Sequence, residues 1–145
     1  LRAQLKRLLE SQKMTEQEAE CIRIWDIRRF VESGLGQRMK KAAMKKHLYR
    51  EQPFVIQRSA SMLDDGWKNE TVLVQGIIDA YFMEEEEIVL VDYKTDRVRR
   101  GQEQKLIDLY HVQLEDYARA LERMTGKKVK EKIIYSFTLQ KEILL

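Results

Sequence analysis

Asp79, Asp92 and Lys94 carry the chemistry this sequence can do. Asp79 closes the stretch Gly76-Ile-Ile-Asp79, and the other two lie in Val91-Asp92-Tyr93-Lys94-Thr95-Asp96, each inside a run otherwise rich in Val, Ile, Leu, Tyr and Phe. Charged side chains in apolar strands need compensating partners. Two ionised carboxylates held close together repel, and a divalent cation between them turns the repulsion into a binding site. Hard oxygen donors, a single cysteine and only two histidines favour Mg²⁺ or Mn²⁺ over zinc. Such an ion polarises a phosphoryl oxygen and lowers the pKa of a bound water, which is the chemistry of phosphodiester hydrolysis. Lys94 would orient or help deprotonate the attacking water, or stabilise charge building on the phosphate. The plainer alternative is a strand-end salt bridge between Asp92 and Lys94, with Asp79 marking a strand end.

These residues depend on a β-hairpin for their placement. One strand is expected over Glu70 to Met83 and the next over Ile88 to Thr95, with the polar run Glu84 to Glu87 as the loop between them. Both strands are apolar on both faces, which predicts central, covered sheet. If Met83 pairs with Ile88, Asp79 stands directly opposite Asp92, with Cβ atoms about 4.5–5.5 Å apart, and strand alternation points Lys94 to the same face. A slip of one residue would turn Asp79 away. A helix follows from about Gln102 to Met124, where Leu106, Tyr110, Gln113, Leu114, Tyr117 and Leu121 recur at helical spacing, with Gly126 at a plausible C-cap. Gln113 and Tyr117 stand four apart and share its inward face. Core packing alone would account for Tyr117, but an amide in an apolar stripe needs hydrogen-bond partners.

The ordered pattern Gly76-x-x-Asp79, Asp92-x-Lys94, Gln113-x-x-x-Tyr117 resembles the PD-(D/E)XK nucleases of the RecB-like branch. Ser33-Gly-Leu-Gly-Gln-Arg38, Tyr49-Arg-Glu-Gln-Pro-Phe54, Val91-Asp-Tyr-Lys-Thr-Asp-Arg97 and Tyr135-Ser-Phe are similar, more narrowly, to the C-terminal nuclease domain of the AddA family of helicase–nuclease subunits. The resemblance covers most of the chain from about residue 33. It implies a restriction-endonuclease-like α/β core, a central mixed sheet flanked by helices, with a helical N-terminal preface. It also implies a Mg²⁺-dependent deoxyribonuclease, an exonuclease, acting on a single strand unwound from a duplex end during double-strand break repair and recombination. ATP would serve only the helicase portion, and the family pairs with an AddB-like subunit in a cytoplasmic, nucleoid-associated heterodimer. By the same resemblance Asp79, Asp92 and Lys94 are the catalytic residues, with Asp79, Asp92 and the backbone carbonyl of Tyr93 on the metal. Glu51, Gln113 and Tyr117 take supporting roles, Glu51 near the metal or, alternatively, in solvent. RecB-like nucleases carry a further histidine ligand upstream, in a Gly-x-x-His motif, and nothing before Trp25 supplies it. The chain opens at Leu1 inside an amphipathic pattern, so it is expected to be part of a longer protein with that ligand upstream. Octahedral Mg²⁺ takes about six ligands, so water and substrate phosphate would supply the rest. A free-standing RecB-like exonuclease, or a non-catalytic DNA-binding or scaffold module with a relic site, are the competing readings. An intact carboxylate pair argues against the relic.

The remaining composition bounds the class. With 145 residues, 43% hydrophobic and 35% charged, the chain can bury one core and has no room for a second sizeable domain. It shows no apolar run of membrane-spanning length, no signal peptide and no P-loop. Cys21 alone cannot form an internal disulfide, which points to a reducing compartment, and it excludes a four-cysteine iron–sulfur cluster within the chain. A net charge of +3 does not by itself call for DNA. The local clusters are more informative: Lys40, Lys41, Lys45, Lys46 and Arg50 before the hairpin, and Arg97, Arg99, Arg100 and Lys105 after it. Arg97, Arg99 and Arg100, directly after Lys94, are the expected phosphate contacts. His47 and His111 read as surface residues. Residues 1–46 are expected to be the helical N-terminal part, with a capping box at Thr15-x-x-Glu18, Gly34 and Gly36 as breaks, and a short helix near Gln37 to Lys45. Residues 47–145 are the nuclease core, with an edge strand from His47 to Ser59 that contains Pro53 and a last strand from Lys132 to Thr138.

Overall fold

Helices come first, then strands, as the change from helical to alternating periodicity requires. The computed structural model describes residues 2–13, 15, 23–59 and 71–145. They fall into two units, Leu1–Arg38 and Met39–Leu145. Three helices open the chain: α1 (Arg2–Glu10), α2 (Ile24–Glu32) and α3 (Gly34–Met44). Glu18 and Cys21 lie outside the described residues, so the capping box does too. Gly34 and Gly36 do not break the pattern as expected but form the first turn of α3. Ser33 explains this: its hydroxyl donates to the Phe30 carbonyl at 2.7 Å and accepts from the Gly36 N–H at 3.1 Å, so one residue ends α2 and caps α3. A Cβ on Gly36 would fall 2.1 Å from the Phe30 oxygen, which is why that position is glycine.

The second unit is built on a five-stranded mixed sheet in the order β1-β2-β3-β4-β5, where β1 is Leu48–Ser59, β2 Thr71–Glu84, β3 Glu87–Lys94, β4 Val129–Ser136 and β5 Lys141–Leu144. All neighbours are antiparallel except β3 and β4, which run parallel because helix α4 (Glu103–Thr125) makes the crossover between them. Gly126, left-handed at φ 68°, ends α4 by donating its N–H to the Glu122 carbonyl. The β2–β3 turn is tighter than the expected four-residue loop. Glu84 pairs with Glu87, and only Glu85 and Glu86, both at positive φ, make the turn. The last strand also differs from expectation. β4 starts three residues before Lys132, and Phe137 and Thr138 belong to a turn in which Ser136 Oγ accepts from Leu139 N–H. The four-residue β5, too short for its alternation to show in the sequence, follows.

Leu106, Leu114, Ala118 and Leu121 of α4 pack with Ile78, Ile88, Leu90 and Ile134 of the sheet. Each such side chain contributes about 1.5–3 kcal/mol by leaving water, so Leu114→Ala, at a fully buried position, would cost roughly 2–5 kcal/mol. Ile88 to Asp92 is buried throughout, as a central strand should be. β2 is not covered along its whole length, contrary to expectation: Leu73 and Ile77, with Val55 on β1, are exposed. The reason is a change of face midway. Ile78 and Tyr81 belong to the same core although strict alternation would put residues three apart on opposite faces. The β1–β2 ladder skips the Glu51 and Asp79 pair, between Arg50↔Ala80 and Gln52↔Ile78, and Glu51 has the left-handed φ of 51°. On one side of this break Tyr49 stacks on Tyr81 at 4.7 Å; on the other Phe54 packs edge-on against Tyr117 of α4 at 5.1 Å.

Candidate active site

Asp79 sits where two ladders stop together. The β2–β3 pairing begins at Ala80↔Val91, with Met83 opposite Ile88, so the next pair along would be Asp79 and Asp92. In place of that pair the Asp79 side chain enters the plane of the sheet, and its Oδ2 accepts the Tyr93 N–H at 2.8 Å. An N–H and C=O of one strand residue point the same way, so the Tyr93 carbonyl is directed to the Asp79 side. Lys94, one residue on, turns its carbonyl the other way and accepts from Phe137 N–H of the turn after β4.

Asp92 is only 2% exposed, and Lys94 Nζ lies 2.8 Å from its Oδ2. This contact is an ion pair off the direction of a hydrogen bond, for Oδ2 is a buried oxygen without a hydrogen-bonding donor. Burial pushes the Asp92 carboxyl above its ordinary range; Lys94 pulls it back, and the charges of Asp79 and Asp96 push it up again. The Lys94 ammonium also donates to Gln113 Oε1 at 3.1 Å and sits 3.9 Å above the Tyr110 ring. Tyr110 is held in turn by its hydroxyl, which donates to Asp96 Oδ1 at 2.9 Å. Burial raises the Tyr117 phenol, and the charges of Asp92 and Asp79 add to the effect, which sets this ring beside both acids. The Tyr93 phenol is pushed up to about 12, by burial first, with Asp79 raising it and Arg50 opposing.

The geometry thus brings Asp79, Asp92, Lys94, Gln113 and Tyr117 together at the end of the β2–β3 hairpin and the inward face of α4. Glu51 lies across from Asp79 at the break in β1, with an exposed side chain. Arg97, Arg99 and Arg100 are exposed in the segment between β3 and α4, and His47 and His111 are exposed as well. Tyr110 and Asp96 join the site although nothing in the sequence alone marks them as functional. The available signal is that Tyr110 precedes Gln113 by three residues and so shares its helical face. Gly76 also has a defined part: a Cβ there would stand 2.9 Å from the Phe54 ring, the ring that seats Tyr117.

Two hard carboxylates, one of them with a buried oxygen that lacks a donor, fit a divalent cation of the Mg²⁺ kind. Among the described residues no group of three His, Cys, Asp or Glu side chains is arranged to hold a metal, so Asp79 and Asp92 are the side-chain donors the site offers.

A mixed α/β sheet that presents Asp, Asp and Lys from one hairpin, steadied by Gln and Tyr from the crossover helix, defines a nuclease of the PD-(D/E)XK class. The family model for the PD-(D/E)XK nuclease superfamily matches residues 1–143, and the chain belongs to that superfamily. Its members generally use divalent metals. The chain is 44% identical over 142 residues to AddA, the larger-named member of the ATP-dependent helicase/nuclease, of Acetivibrio thermocellus, covering 94% of this chain and 11% of the relative. It is 39% identical over 145 residues to the protein of the same name from Clostridium novyi, covering 97% of this chain and 12% of that one. The corresponding protein of Thermoanaerobacter sp. strain X514 is 42% identical over 141 residues, 94% of this chain and 11% of its own length. The chain therefore spans roughly a ninth to an eighth of these curated relatives, within a region homologous to AddA.

Proposed function

We propose that this nuclease domain acts as a Mg²⁺- or Mn²⁺-dependent deoxyribonuclease, exonucleolytic, on a DNA strand delivered by an AddA-like helicase to which an AddB-like subunit is bound. The observation that supports it best is Asp92: a buried carboxylate whose Oδ2 has no hydrogen-bond donor, beside a second acid and a lysine. Keeping such a group ionised is costly unless a cation is its ligand.

Asp79, Asp92 and the Tyr93 carbonyl would hold the ion. When bound, it supplies Lewis acidity toward a phosphoryl oxygen and a water of lowered pKa. Asp79 is fixed for this task by the Tyr93 N–H, and Asp92 by its place in the central strand. Lys94, three of whose neighbours are polar or aromatic groups of this chain, keeps its ammonium beside Asp92, where it can orient the attacking water or meet negative charge on the phosphate. Gln113 holds the lysine, and Tyr117 excludes water beside the two acids. Arg97, Arg99 and Arg100 would receive the backbone phosphates on either side of the cut. Glu51, at the break in β1 and exposed, would face the entering strand or a water on the ion.

Cleavage of end-labelled single-stranded DNA with Mg²⁺, Mn²⁺ or chelator tests the reading. Asp92→Ala is expected to abolish cleavage and Lys94→Ala to reduce it about 10²–10⁴-fold. Cleavage that survives chelation or the loss of Asp92 would refute it.

A further inference from the structure

The ammonium of Lys94 touches three groups of its own chain: Asp92 Oδ2 at 2.8 Å, Gln113 Oε1 at 3.1 Å, and the face of Tyr110 at 3.9 Å. The first is a candidate metal ligand, and the second belongs to a pair already expected from the sequence. The third has no part in the reaction as proposed so far. We propose that Tyr110 is a positioning residue of the nuclease reaction, its ring serving as a seat for the Lys94 ammonium and its hydroxyl, tied to Asp96, fixing the angle of that ring. The proposal rests on the nuclease reading.

A cation over a tyrosine ring within about 6 Å of the centroid is attracted by the negative face of the ring, more strongly where water is scarce. Lys94 is 15% exposed, so this site is nearly dry. Tyr110 lies on α4, one turn before Gln113, so the two meet the lysine from one helix face while Asp92 meets it from the strand. An ammonium has three N–H groups, and a lysine stem has four rotatable carbons. A single salt bridge would leave such a side chain able to swing about its partner. Three partners in different directions fix the nitrogen in space. The ring matters most when Asp92 is engaged elsewhere, because Gln113 and Tyr110 then hold Nζ without it. The ring cannot rotate out of the way cheaply, since the Tyr110 hydroxyl donates to Asp96 Oδ1 at 2.9 Å. Asp96 comes two residues after Lys94 on the chain, so the segment that follows the catalytic strand anchors the ring that seats the lysine. Thr138, whose hydroxyl donates to the Thr95 carbonyl at 3.2 Å, ties down that segment from the other side.

The test is a double-mutant cycle in the full chain, read as single-turnover cleavage and as the KM for single-stranded DNA, with Mg²⁺ present. Tyr110→Leu is expected to lower kcat about 10–100-fold with KM within about twofold. Tyr110→Phe and Asp96→Asn, which keep the ring but loosen it, are expected to lose only a few-fold. In a Lys94→Ala background, Tyr110→Leu should cost nothing more. A ring that merely packs would lose the same factor in both backgrounds, and that result overturns the proposal. A second readout is independent of cleavage: proton NMR of the Lys94 ε-methylene, shifted upfield by the ring and returned to its ordinary position in Tyr110→Leu. An unshifted methylene in the parent chain also overturns it. Failure of the broader reading looks different. Cleavage that is unaffected by Asp92→Ala sinks the nuclease assignment of this site, whereas cleavage that needs Asp92 and Lys94 but ignores Tyr110 sinks only the role of the ring.

Discussion

Replacing Asp79 by alanine should weaken the fold as well as remove activity, and replacing it by asparagine should do only the second. Asp79 Oδ2 accepts the Tyr93 N–H at 2.8 Å, at the place where the β2–β3 ladder has no further backbone pair. Alanine leaves that amide without its acceptor. An orphaned buried donor costs about 1–3 kcal/mol, and because both residues are half-buried the lower part of the range applies, about 1–2 kcal/mol. At about 3 °C per kcal/mol for a chain of this size, Tm should fall by roughly 3–6 °C. Asparagine keeps a carbonyl oxygen in the same position, so its Tm should stay within about 2 °C of the parent. It lacks the negative charge, so both variants should lose divalent-dependent cleavage alike. Scanning calorimetry without divalent ions, together with the labelled-strand assay, measures both quantities on the same preparations. Equal losses of Tm in the two variants, or none in either, would show that the Asp79–Tyr93 bond does not hold the strand end.

Other outcomes follow from the same geometry. A divalent cation at a hundred times its Kd should stabilise the chain by about 2.7 kcal/mol, near 8 °C in Tm at the same conversion, and Asp92→Asn should erase the shift in a thermal melt. The Asp92 carboxyl is held above its ordinary value of 3.8 chiefly by burial. Its contribution to stability without cation is therefore complete below that value and lost as pH rises through the raised one. Urea midpoints from about pH 3 to about pH 7 should show this decline in the parent chain and not in Asp92→Asn; parallel curves would contradict it. Gly126→Ala, at φ 68°, should cost about 1 kcal/mol of stability, seen as a lower urea midpoint, and leave cleavage unchanged.

The hairpin was legible because its apolar runs, polar tip and two acids constrain one another: only Met83 against Ile88 sets Asp79 across from Asp92, and that is the observed register. The long helix and its glycine stop were legible for a similar reason, a sustained period with a terminator. The glycines at 34 and 36 misled because a tight junction between two helices uses the residue that ordinarily ends one, and only the 30–36 contacts reveal it. β5 is too short to show a pattern. The open face of β2 was hidden by the exchange of inward and outward residues around Asp79: Val74, Ile78 and Tyr81 read as two apolar faces when they are one face interrupted. The site's acids and lysine could be placed by alternation. The ring beneath the lysine could not, because a tyrosine on an apolar helical stripe looks like any core residue until its hydroxyl and its face are seen to have separate partners.

β1 is the outermost strand of the sheet, and an outermost strand is a template on which another chain can zip itself. This one is poorly suited to such growth. Pro53 has no N–H to offer, and the left-handed backbone of Glu51 two residues earlier interrupts the even row of donors and acceptors an incoming strand would need. The kink that accompanies the turn of the sheet at Asp79 therefore also acts as a guard on its border. A single local departure from regular pairing shapes the cradle for the acids and keeps a strand flanked by Val55, Leu73 and Ile77 from recruiting its own kind.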